Sequence, residues 1–284
     1  MDAITIPVNI GRIVILGDPH YDQFRKAKIN PFEGDGLDTL NWGGIDALII
    51  AGDLADAPQI NWQRALDWLG RYVQRGKIFI LPGNHDYYAH ALGADEDLRR
   101  LAASRGATLL QKQELRYGDI RLPCCTLWTD FALLGDPEAA MLKASHSMLD
   151  YDRISRIKPT RSGNHVPISP EDTLALHHDH RAWLEDALAE PHFAGPAGRT
   201  VVVTHHGPHP LVAGPLDALS PCFHSDLSAL IDRRQPEAWF FGHSHYRLRA
   251  QVGATDLRNV AIGYPRERPI SGSQPLIEMC VLEL

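Results

Sequence analysis

The sequence predicts an α/β fold built on a mainly parallel β-sheet. Short runs of β-branched and aromatic residues recur along the chain, each run ends in Gly, Pro, Asp or His, and helical patterns separate several of them. Continuous apolar runs bounded by turn residues are typical of strands that are buried on both faces. Strands that alternate with helices indicate parallel pairing.

Each predicted strand leads directly into polar residues. The strands cover residues 12–16, 46–51, 77–81, 200–203 and 238–241. They are followed by Asp18 and His20, by Asp53, by Asn84 and His85, by His205, and by His243 and His245. Because ligands bind outside the carboxyl ends of strands in open α/β sheets, we expect these side chains to converge on one side of the fold.

Helical patterns account for two of the connections. Residues 58–75 carry apolar side chains close to a 3.6-residue period, and the pattern ends at Gly76, a residue type favoured just after a helix. Residues 226–234 precede the strand at 238–241 with a similar pattern. We therefore expect a helix at each position.

The segment from about residue 125 to residue 191 interrupts the alternation. Asp136 and Ser169 each precede a proline, which is the arrangement of an N-cap and a first helical residue, and residues 161–164 between them predict a turn. We interpret this segment as a cap insertion within a single domain that spans residues 1–284. After it, the runs at 248–252, 257–262 and 276–282 predict antiparallel strands that complete a second sheet.

Composition and charge exclude several function classes. The 284 residues include 28 Lys and Arg against 35 Asp and Glu, a formal net charge of −7, so tight binding to long nucleic acid is not expected. No stretch reaches the roughly 18 apolar residues of a membrane span, and the N-terminus lacks the pattern of a signal peptide. The four cysteines show no C-x-x-C spacing, which indicates reduced thiols. We expect a cytoplasmic protein with a small substrate and no membrane partner.

The polar residues at the strand ends are suited to metal binding. They comprise carboxylates, an amide and imidazoles: Asp18, His20, Asp53, Asn84, one of His205 and His206, His243 and His245. Oxygen and nitrogen ligands favour Mn, Fe or Zn. The set is too large for one ion with an open position, but it suffices for two divalent or trivalent ions if a carboxylate bridges them.

Five blocks in this order resemble the signature of the calcineurin-like metallophosphoesterase superfamily. The blocks are Asp18-x-His20, Gly52-Asp53-x-x-Asp56, Gly83-Asn84-His85-Asp86, His205 and Gly242-His243-Ser244-His245. The resemblance covers residues 10–130 and 199–284 and says little about the cap. It implies a four-layer α-β-β-α sandwich of two mixed sheets flanked by helices, and an enzyme that hydrolyses phosphoric esters.

The resemblance also implies a role for each residue. Asp18, His20, Asp53 and His245 would hold one ion, and Asp53, Asn84, His205 and His243 the other. A hydroxide held between the ions would attack phosphorus. His85 would stabilise the phosphoryl group or protonate the leaving oxygen, with Asp86 or Asp56 orienting it. Pro19 lies inside the first block, and Asp86 stands where many members carry Glu, so its reach toward His85 is expected to differ.

Several residues outside this set have more than one interpretation. His206 would bind backbone or substrate, and His209 is expected in a loop. The run His177-His178-Asp179-His180 has no converging carboxylate, so we interpret it as a solvated helical face. His165 is the cap residue that we expect to contact substrate. Tyr87, Tyr88, Trp128 and Tyr246 are candidates to stack on an aromatic leaving group, although core packing explains Trp128 equally well. Cys124 and Cys125 are expected to be small buried hydrophobes.

The sequence therefore predicts a dinuclear metal-dependent phosphoesterase that hydrolyses a small phosphomonoester or phosphodiester. The alternatives are a nuclease or protein phosphatase of the same superfamily and a non-catalytic binding scaffold. A nuclease needs a basic track, for which the candidates are Arg99, Arg100, Arg105, Arg116 and Arg121. The ester type, the native metals and the oligomeric state are left open.

Overall fold

Two β-sheets form the centre of the molecule. The computed structural model describes residues 3–158, 164–267 and 274–284. One sheet has five strands, in the order β12 (Val281–Glu283), β2 (Arg12–Leu16), β3 (Ala47–Ala51), β4 (Ile78–Leu81) and β5 (Thr108–Leu109). Strands β2 to β5 pair in parallel, and β12 is antiparallel to β2.

The second sheet has seven strands. Their order is β1 (Ile4–Ile6), β6 (Gln113–Tyr117), β7 (Ile120–Cys125), β8 (Arg199–Thr204), β9 (Ala238–Phe241), β11 (Thr255–Asn259) and β10 (Arg249–Val252). The pairs β6–β7 and β10–β11 are antiparallel and the others are parallel. Both sheets are therefore mixed, as the resemblance implied.

Helices flank the two sheets. Helices α1 (Tyr21–Ala27), α2 (Pro58–Leu69) and α3 (Asp95–Ala103) form a group that packs beside the five-stranded sheet, and α6 (Pro170–Ala189) and α7 (Ser228–Arg234) pack beside the seven-stranded sheet. The described helices also include α4 (Pro137–Ser147), α5 (Asp150–Arg153) and α8 (Leu276–Met279). The predicted layered α/β sandwich is confirmed.

Alternation of side-chain direction explains the continuous apolar residues at 201–203 of β8 and along β9. Val201, Val203 and Phe240 belong to the large core shared by the two sheets. Val202 and Trp239 belong to a second apolar cluster, formed with side chains of α6 and α7. Because successive strand residues point to opposite faces, a strand covered on both sides has no solvent-facing position for polar residues.

The first predicted helix is shorter than its apolar pattern. It begins at Pro58 as expected but ends at Leu69, and a 3-10 turn follows at Arg75–Lys77. The backbone amides after Leu69 form turn hydrogen bonds instead of continuing the helix. Val73 nevertheless packs into the core. The apolar period therefore continues beyond the helix because the turn buries the same face.

The C-terminal runs form only part of the predicted antiparallel arrangement. Strands β10 and β11 pair antiparallel with each other, but β11 is parallel to β9, so the expectation for this pairing was wrong. The run at 276–282 is α8 followed by β12 rather than one strand, because Leu276 and Met279 are buried one helical turn apart. Strand β12 joins the five-stranded sheet. The predicted strands did not include β1, β5, β6 or β7.

The segment predicted as a cap contains both helix starts that the sequence indicated, and one of these helices packs beside the seven-stranded sheet. Asp136 accepts a hydrogen bond from the amide of Ala139 at 3.0 Å, and Ser169 forms a capping box, so both predicted helix starts are confirmed. Leu184 and Leu188 of α6 pack in the cluster of the seven-stranded sheet, which makes α6 part of the helical layer. The turn predicted at 161–164 lies mostly outside the described residues. The division into scaffold and cap stays a prediction.

Two further expectations concern the chain as a whole. Cys124, Cys125, Cys222 and Cys280 are unpaired and buried, as expected for thiols that pack as small hydrophobes. Among the described residues, none of the helices combines the length and the apolar character that a membrane crossing requires.

Candidate metal centre

The loops that follow five strands meet at one edge of the sandwich. The amide of Asp18, after β2, donates to the carbonyl of Gly52, after β3, at 2.9 Å. The amide of Gly242, after β9, donates to the carbonyl of His205, after β8, at 3.0 Å. These backbone bonds fix the loops to each other, so the polar side chains of both sheets face the same space.

Several residues in these loops have a strained backbone. Positive φ angles occur at Asp18 (55°), His20 (35°), Asp53 (57°), His243 (65°) and His245 (55°). A non-glycine residue in this region costs on the order of 1–3 kcal/mol, and such residues concentrate at functional sites. The surrounding structure therefore stabilises a loop geometry that local preferences alone would not select.

Glycines in the same loops allow side chains to approach the backbone. A Cβ atom at Gly83 would lie 2.2 Å from Oδ1 of Asp53, and one at Gly242 would lie 2.1 Å from Oδ2 of Asp18. These distances are far below van der Waals contact, so the carboxylates occupy their positions only because glycine stands there.

A first group of possible ligands consists of Asp18, His20 and His245. Nε2 of His20 lies 3.2 Å from Nε2 of His245, which in turn lies 3.3 Å from Oδ1 of Asp18. Ligand atoms of these three residues all lie within 4.8 Å of one another. Two imidazole nitrogens and a carboxylate oxygen thus face a common point.

A second group consists of Asp53, His205 and His243, whose ligand atoms also lie within 4.8 Å of one another. Nε2 of His205 lies 3.0 Å from Oδ1 of Asn84 and 3.5 Å from Oδ1 of Asp53. The structure therefore brings Asn84 to the second group as well.

Asp53 lies between the two groups. Its Oδ2 is 3.6 Å from Nε2 of His20, whereas its Oδ1 is 3.5 Å from Nε2 of His205. The two oxygens of one carboxylate thus face different groups, which is the geometry that a bridging ligand requires.

The unsatisfied polar atoms of the site fit bound cations. Within the described residues, Nε2 of His243 is buried and has no hydrogen-bond partner, and Nε2 of His20 has only Nε2 of His245 and the carboxylate of Asp53 as polar neighbours. Burial lowers the pKa of both histidines well below the usual range, which leaves neutral imidazoles that can ligate metal.

Burial, together with the carboxylates of Asp18 and Asp86, raises the pKa of Asp53 well above its usual range. A cation would stabilise the ionised form of this carboxylate.

Outer hydrogen bonds hold the possible ligands in place. Nδ1 of His245 lies 2.7 Å from Oε2 of Glu267, and Nδ2 of Asn84 donates to Oδ1 of Asp150 at 2.7 Å. Burial opposes protonation of His245, but its contacts with Asp18 and Glu267 outweigh burial and raise its pKa to about 9. Contacts of this kind fix the tautomer and orientation of metal ligands.

His85 lies beside both groups and has partners on both ring nitrogens. Its Nδ1 is 2.6 Å from Oδ1 of Asp56, and its Nε2 is 3.3 Å from the hydroxyl of Tyr264. The ring stacks on Tyr88 with a centroid separation of 4.1 Å. These contacts hold the imidazole in one orientation at the edge of the site.

Asp86 does not contact the ring of His85. Its carboxylate accepts hydrogen bonds from the backbone amides of Asp53, Leu54, Ala55 and Gly83 and from Nε1 of Trp62. Of the two carboxylates expected to orient His85, Asp56 is therefore the one in contact. The placement of Asp86 in the catalytic group is corrected by these contacts, because its oxygens are occupied in joining the loops after β3 and β4.

A cavity of about 330 Å³, the central cavity, opens onto the two groups. Tyr88, Met148, Leu149, Phe223 and Tyr264 form its walls beside the possible metal ligands. Within the described residues, no Lys or Arg lines this cavity, so the positive charge that binds a phosphoryl group would have to come from bound metal or from histidine.

Comparison with known proteins supports the arrangement of these loops. The family model of the calcineurin-like phosphoesterases matches residues 11–247, which is most of the chain. The chain belongs to the calcineurin-like phosphoesterase family. Members of this family are phosphoesterases, and the matched region contains every possible metal ligand described above.

Two individual similarities accompany the family match. Uncharacterized protein L509 of Acanthamoeba polyphaga mimivirus is 25% identical over 211 residues, which cover 68% of this chain and 70% of the relative. The crystal structure of phosphopantetheinyl hydrolase (PptH) from Mycobacterium tuberculosis has a TM-score of 0.65 at 16% identity and covers 97% of each chain. The second similarity concerns the fold.

Tyr264, Glu267 and Asp150 belong to the candidate site of this family member but were missed in the sequence. Tyr264 and Glu267 lie in the loop after β11, so the rule that polar residues gather at carboxyl strand ends would have found them if β11 had been placed parallel to β9. Asp150 begins a four-residue helix and carries no motif that indicates its contact with Asn84.

The remaining histidines near the site contact mainly backbone. Nδ1 of His206 lies 3.2 Å from the carbonyl oxygen of Thr126, in agreement with one of its two interpretations. His209 accepts from the amide of Leu211 at 3.1 Å in a loop, as expected. His165 is exposed, its Nε2 lies 2.9 Å from the carbonyl oxygen of Asp152, and it does not line the central cavity.

The interpretation of residues 177–180 as a solvated face was wrong for two of them. His177 and His180 are 0% and 3% exposed. Nδ1 of His180 accepts from the amide of Leu127 at 3.2 Å, and Nδ1 of His177 lies 3.2 Å from the carbonyl oxygen of the same residue. They are buried because α6 packs over the loop that follows β7 and its backbone groups need partners.

The four aromatic candidates divide into two pairs. Tyr87 and Trp128 are 2% and 3% exposed and belong to the core. Tyr88 lines the central cavity, and Tyr246 lines a neighbouring one. Tyr88 and Tyr246 thus remain candidates for contact with a substrate.

Proposed function

We propose that the protein is a dinuclear metal-dependent phosphoesterase that hydrolyses a small phosphomonoester or phosphodiester. The observation that carries the proposal is the position of Asp53, whose two oxygens face separate groups at 3.6 Å and 3.5 Å. A carboxylate in this position suits two neighbouring ions better than one.

Each group would hold one ion, and Asp53 would be shared. Asp18, His20 and His245 complete the first set of ligands, and Asn84, His205 and His243 complete the second. Two bound transition-metal ions would supply a hydroxide nucleophile and neutralise the charge that develops on the phosphoryl oxygens. Mn, Fe and Zn match the nitrogen and oxygen donors.

The contribution of His85 is the transfer of a proton to the leaving oxygen. Asp56, 2.6 Å from Nδ1, favours a proton on that nitrogen and orients the ring. Nε2 then faces the central cavity with the hydroxyl of Tyr264 as its neighbour. A leaving alcohol needs this proton because an alkoxide is a poor leaving group.

The surroundings support a small substrate over a nucleic acid. The candidate basic track is interrupted: Arg99 and Arg100 pair with acids of their own helix, Arg105 lies 3.4 Å from Asp67, and Arg116 lies 2.9 Å from Glu114. Arg121 is 8% exposed and donates to backbone carbonyls at the end of α6. These arginines do not form a free cationic surface for a phosphate backbone.

Metal analysis combined with hydrolysis assays tests the proposal. We expect two ions per chain after reconstitution with Mn, and turnover of p-nitrophenyl phosphate or bis(p-nitrophenyl) phosphate. Asp53→Asn should remove at least one ion and lower kcat/KM by at least about 100-fold, because both groups lose a ligand. Asp67→Asn, a partly exposed carboxylate on α2, is the matched control. Metal-loaded protein that hydrolyses no phosphoric ester would overturn the proposal.

A further inference from the structure

A second cavity adjoins the central one. This side cavity has a volume of about 210 Å³, and Phe223 and Ser244 line both cavities. Ser244 stands between the proposed ligands His243 and His245 in sequence. The two cavities are therefore neighbours, and a group that extends from the metal centre past Phe223 and Ser244 would enter the side cavity.

Aromatic and aliphatic side chains form most of the side cavity. The ring of Phe223 packs against His243 with a centroid separation of 4.8 Å. The ring of Tyr246 lies so close to Gly214 that a Cβ atom there would be 2.6 Å from Cδ2 of the ring. Ala213, Pro215 and Leu219 complete the apolar lining.

The polar residues of the side cavity carry no free positive charge. His224 is 1% exposed, and burial lowers its pKa to about 3, so the imidazole is neutral. Asp217 accepts hydrogen bonds from the amides of Leu219 and Ser220 at 2.8 Å and 3.0 Å. Within the described residues, no Lys or Arg lines either cavity. An anionic group placed here would lie beside the carboxylate of Asp217 without a Lys or Arg among the described lining residues to compensate its charge.

We propose that the side cavity binds the organic group esterified to the phosphoryl group, and that this group is uncharged and mainly apolar. The inference rests on the proposed function, because the metal centre must hold the phosphoryl group at the mouth of the side cavity. Its volume suits a single aromatic ring or a short branched alkyl chain. Substrates with a second phosphate or a carboxylate in this position are thereby disfavoured.

Binding of phosphonates to the Mn-loaded protein tests this selectivity without turnover. The probes are methylphosphonate, 3-methylbutylphosphonate and 3-phosphonopropionate, in which a carboxylate replaces the branched end of the alkyl chain. We expect 3-methylbutylphosphonate to bind at least about tenfold more tightly than methylphosphonate, and 3-phosphonopropionate to gain nothing over methylphosphonate, by calorimetric titration. Equal affinities for the alkyl and carboxylate probes would overturn the inference.

A charge substitution provides a second measurement. Leu219→Arg adds a cation to the side cavity and should reverse the preference between the alkyl and carboxylate probes, and 3-phosphonopropionate should gain more affinity than methylphosphonate. Leu216→Arg is the matched control, because Leu216 is 53% exposed and does not line the cavity. If Leu219→Arg fails to fold, the wild-type comparison alone decides.

The two proposals fail in distinguishable ways. Protein that hydrolyses p-nitrophenyl phosphate and binds methylphosphonate but does not discriminate between the longer probes contradicts the side-cavity inference alone. Protein that binds none of the phosphonates and hydrolyses no phosphoric ester contradicts the proposed function and the inference together.

Discussion

Asp56 and His85 form a close pair at the edge of the central cavity, with Oδ1 of Asp56 2.6 Å from Nδ1 of His85. Both side chains are largely buried, at 16% and 13% exposure. A carboxylate behind an imidazole fixes the orientation of the ring and leaves the other nitrogen available for exchange of a proton. In this protein, the nitrogen that remains faces the space where a leaving group would stand.

The first prediction concerns this pair. His85→Ala should lower kcat about 10²–10⁴-fold on phenyl phosphate, the range typical of lost general acid catalysis, while the metal content stays unchanged. The loss should be smaller on p-nitrophenyl phosphate, because p-nitrophenolate leaves without protonation. Steady-state kinetics on both substrates, together with metal analysis, measure the effect.

A double variant tests whether Asp56 acts through His85 or independently of it. If Asp56 acts through His85, then His85→Ala combined with Asp56→Asn should be no slower than His85→Ala alone. A double variant whose loss equals the product of the two single losses would contradict this coupling.

The second prediction concerns the contact between Glu267 and His245. Glu267→Ala removes the carboxylate that lies 2.7 Å from Nδ1 of His245 and should weaken one metal site about 10–100-fold. The other site should keep its affinity, so the protein should bind one ion tightly and one weakly. Chelator competition measures both dissociation constants. Glu278→Ala, at an exposed carboxylate near the C-terminus, is the control, and equal weakening of both sites would contradict the assignment.

The contrast between these residues shows how far the sequence predicts the site. Asp53 and His243 were predictable because each follows an apolar strand directly, so the backbone alone determines on which edge it lies. Glu267 depends on β11 pairing in parallel with β9, a long-range contact that the pattern at 257–262 does not encode. Asp86 and Asp56 stand in equally suitable motif positions, and only the folded loops decide which of them reaches His85.

The same distinction applies to the fold. The buried strands at 12–16 and 238–241 were predicted closely, because a continuous apolar run is a local property. The histidines of α6 were misinterpreted, because their burial depends on backbone groups near Leu127, distant in sequence. Edge strands such as β1 were missed, because a three-residue run carries too little pattern to be distinguished from a loop.

The third prediction concerns the support of Asn84 by Asp150. Nδ2 of Asn84 donates to Asp150, which keeps Oδ1 directed at His205. Asp150→Ala should allow the amide to rotate and should weaken the metal site formed with His205 and His243 about 10–100-fold. This is the opposite site from the one that Glu267→Ala weakens. Asp152→Ala, an exposed carboxylate two residues away, is the control. Unchanged metal affinity in Asp150→Ala would show that Asn84 needs no such support.

The fourth prediction tests whether the close approach of Asp53 requires glycine at position 83. Gly83→Ala would place a Cβ atom 2.2 Å from Oδ1 of Asp53, so this carboxylate must move. We expect loss of metal binding and of at least about 100-fold in kcat/KM. Gly76→Ala is the matched control, because no atom lies within 4 Å of its added Cβ. Retained metal and activity in Gly83→Ala would contradict the close approach of Asp53.

The fifth prediction concerns stability and pH at Asp46, which precedes β3. Its carboxylate accepts hydrogen bonds from the amides of Asn9, Ile10 and Gly11 and from the hydroxyl of Tyr117 on β6, so it links the two sheets. Burial favours the protonated form, but these four donors outweigh burial and lower the pKa of Asp46 to about 2. A carboxyl whose pKa is lower in the folded than in the unfolded state stabilises the fold above the unfolded value of about 4, and this contribution is lost as pH falls toward 2.

Asp46→Asn should therefore reduce the free energy of unfolding by up to about 2 kcal/mol at pH 7 and by about half of that at pH 3. All four donors contact Oδ2 of Asp46, and an uncharged amide oxygen accepts hydrogen bonds more weakly than a carboxylate, so Asn cannot fully replace Asp. Urea unfolding at both pH values measures the difference. Asp119→Asn, at an exposed carboxylate in the turn between β6 and β7, should have little effect at either pH. The same destabilisation of Asp46→Asn at pH 7 and pH 3 would show that packing, rather than the ionised carboxylate, accounts for the contribution of this residue.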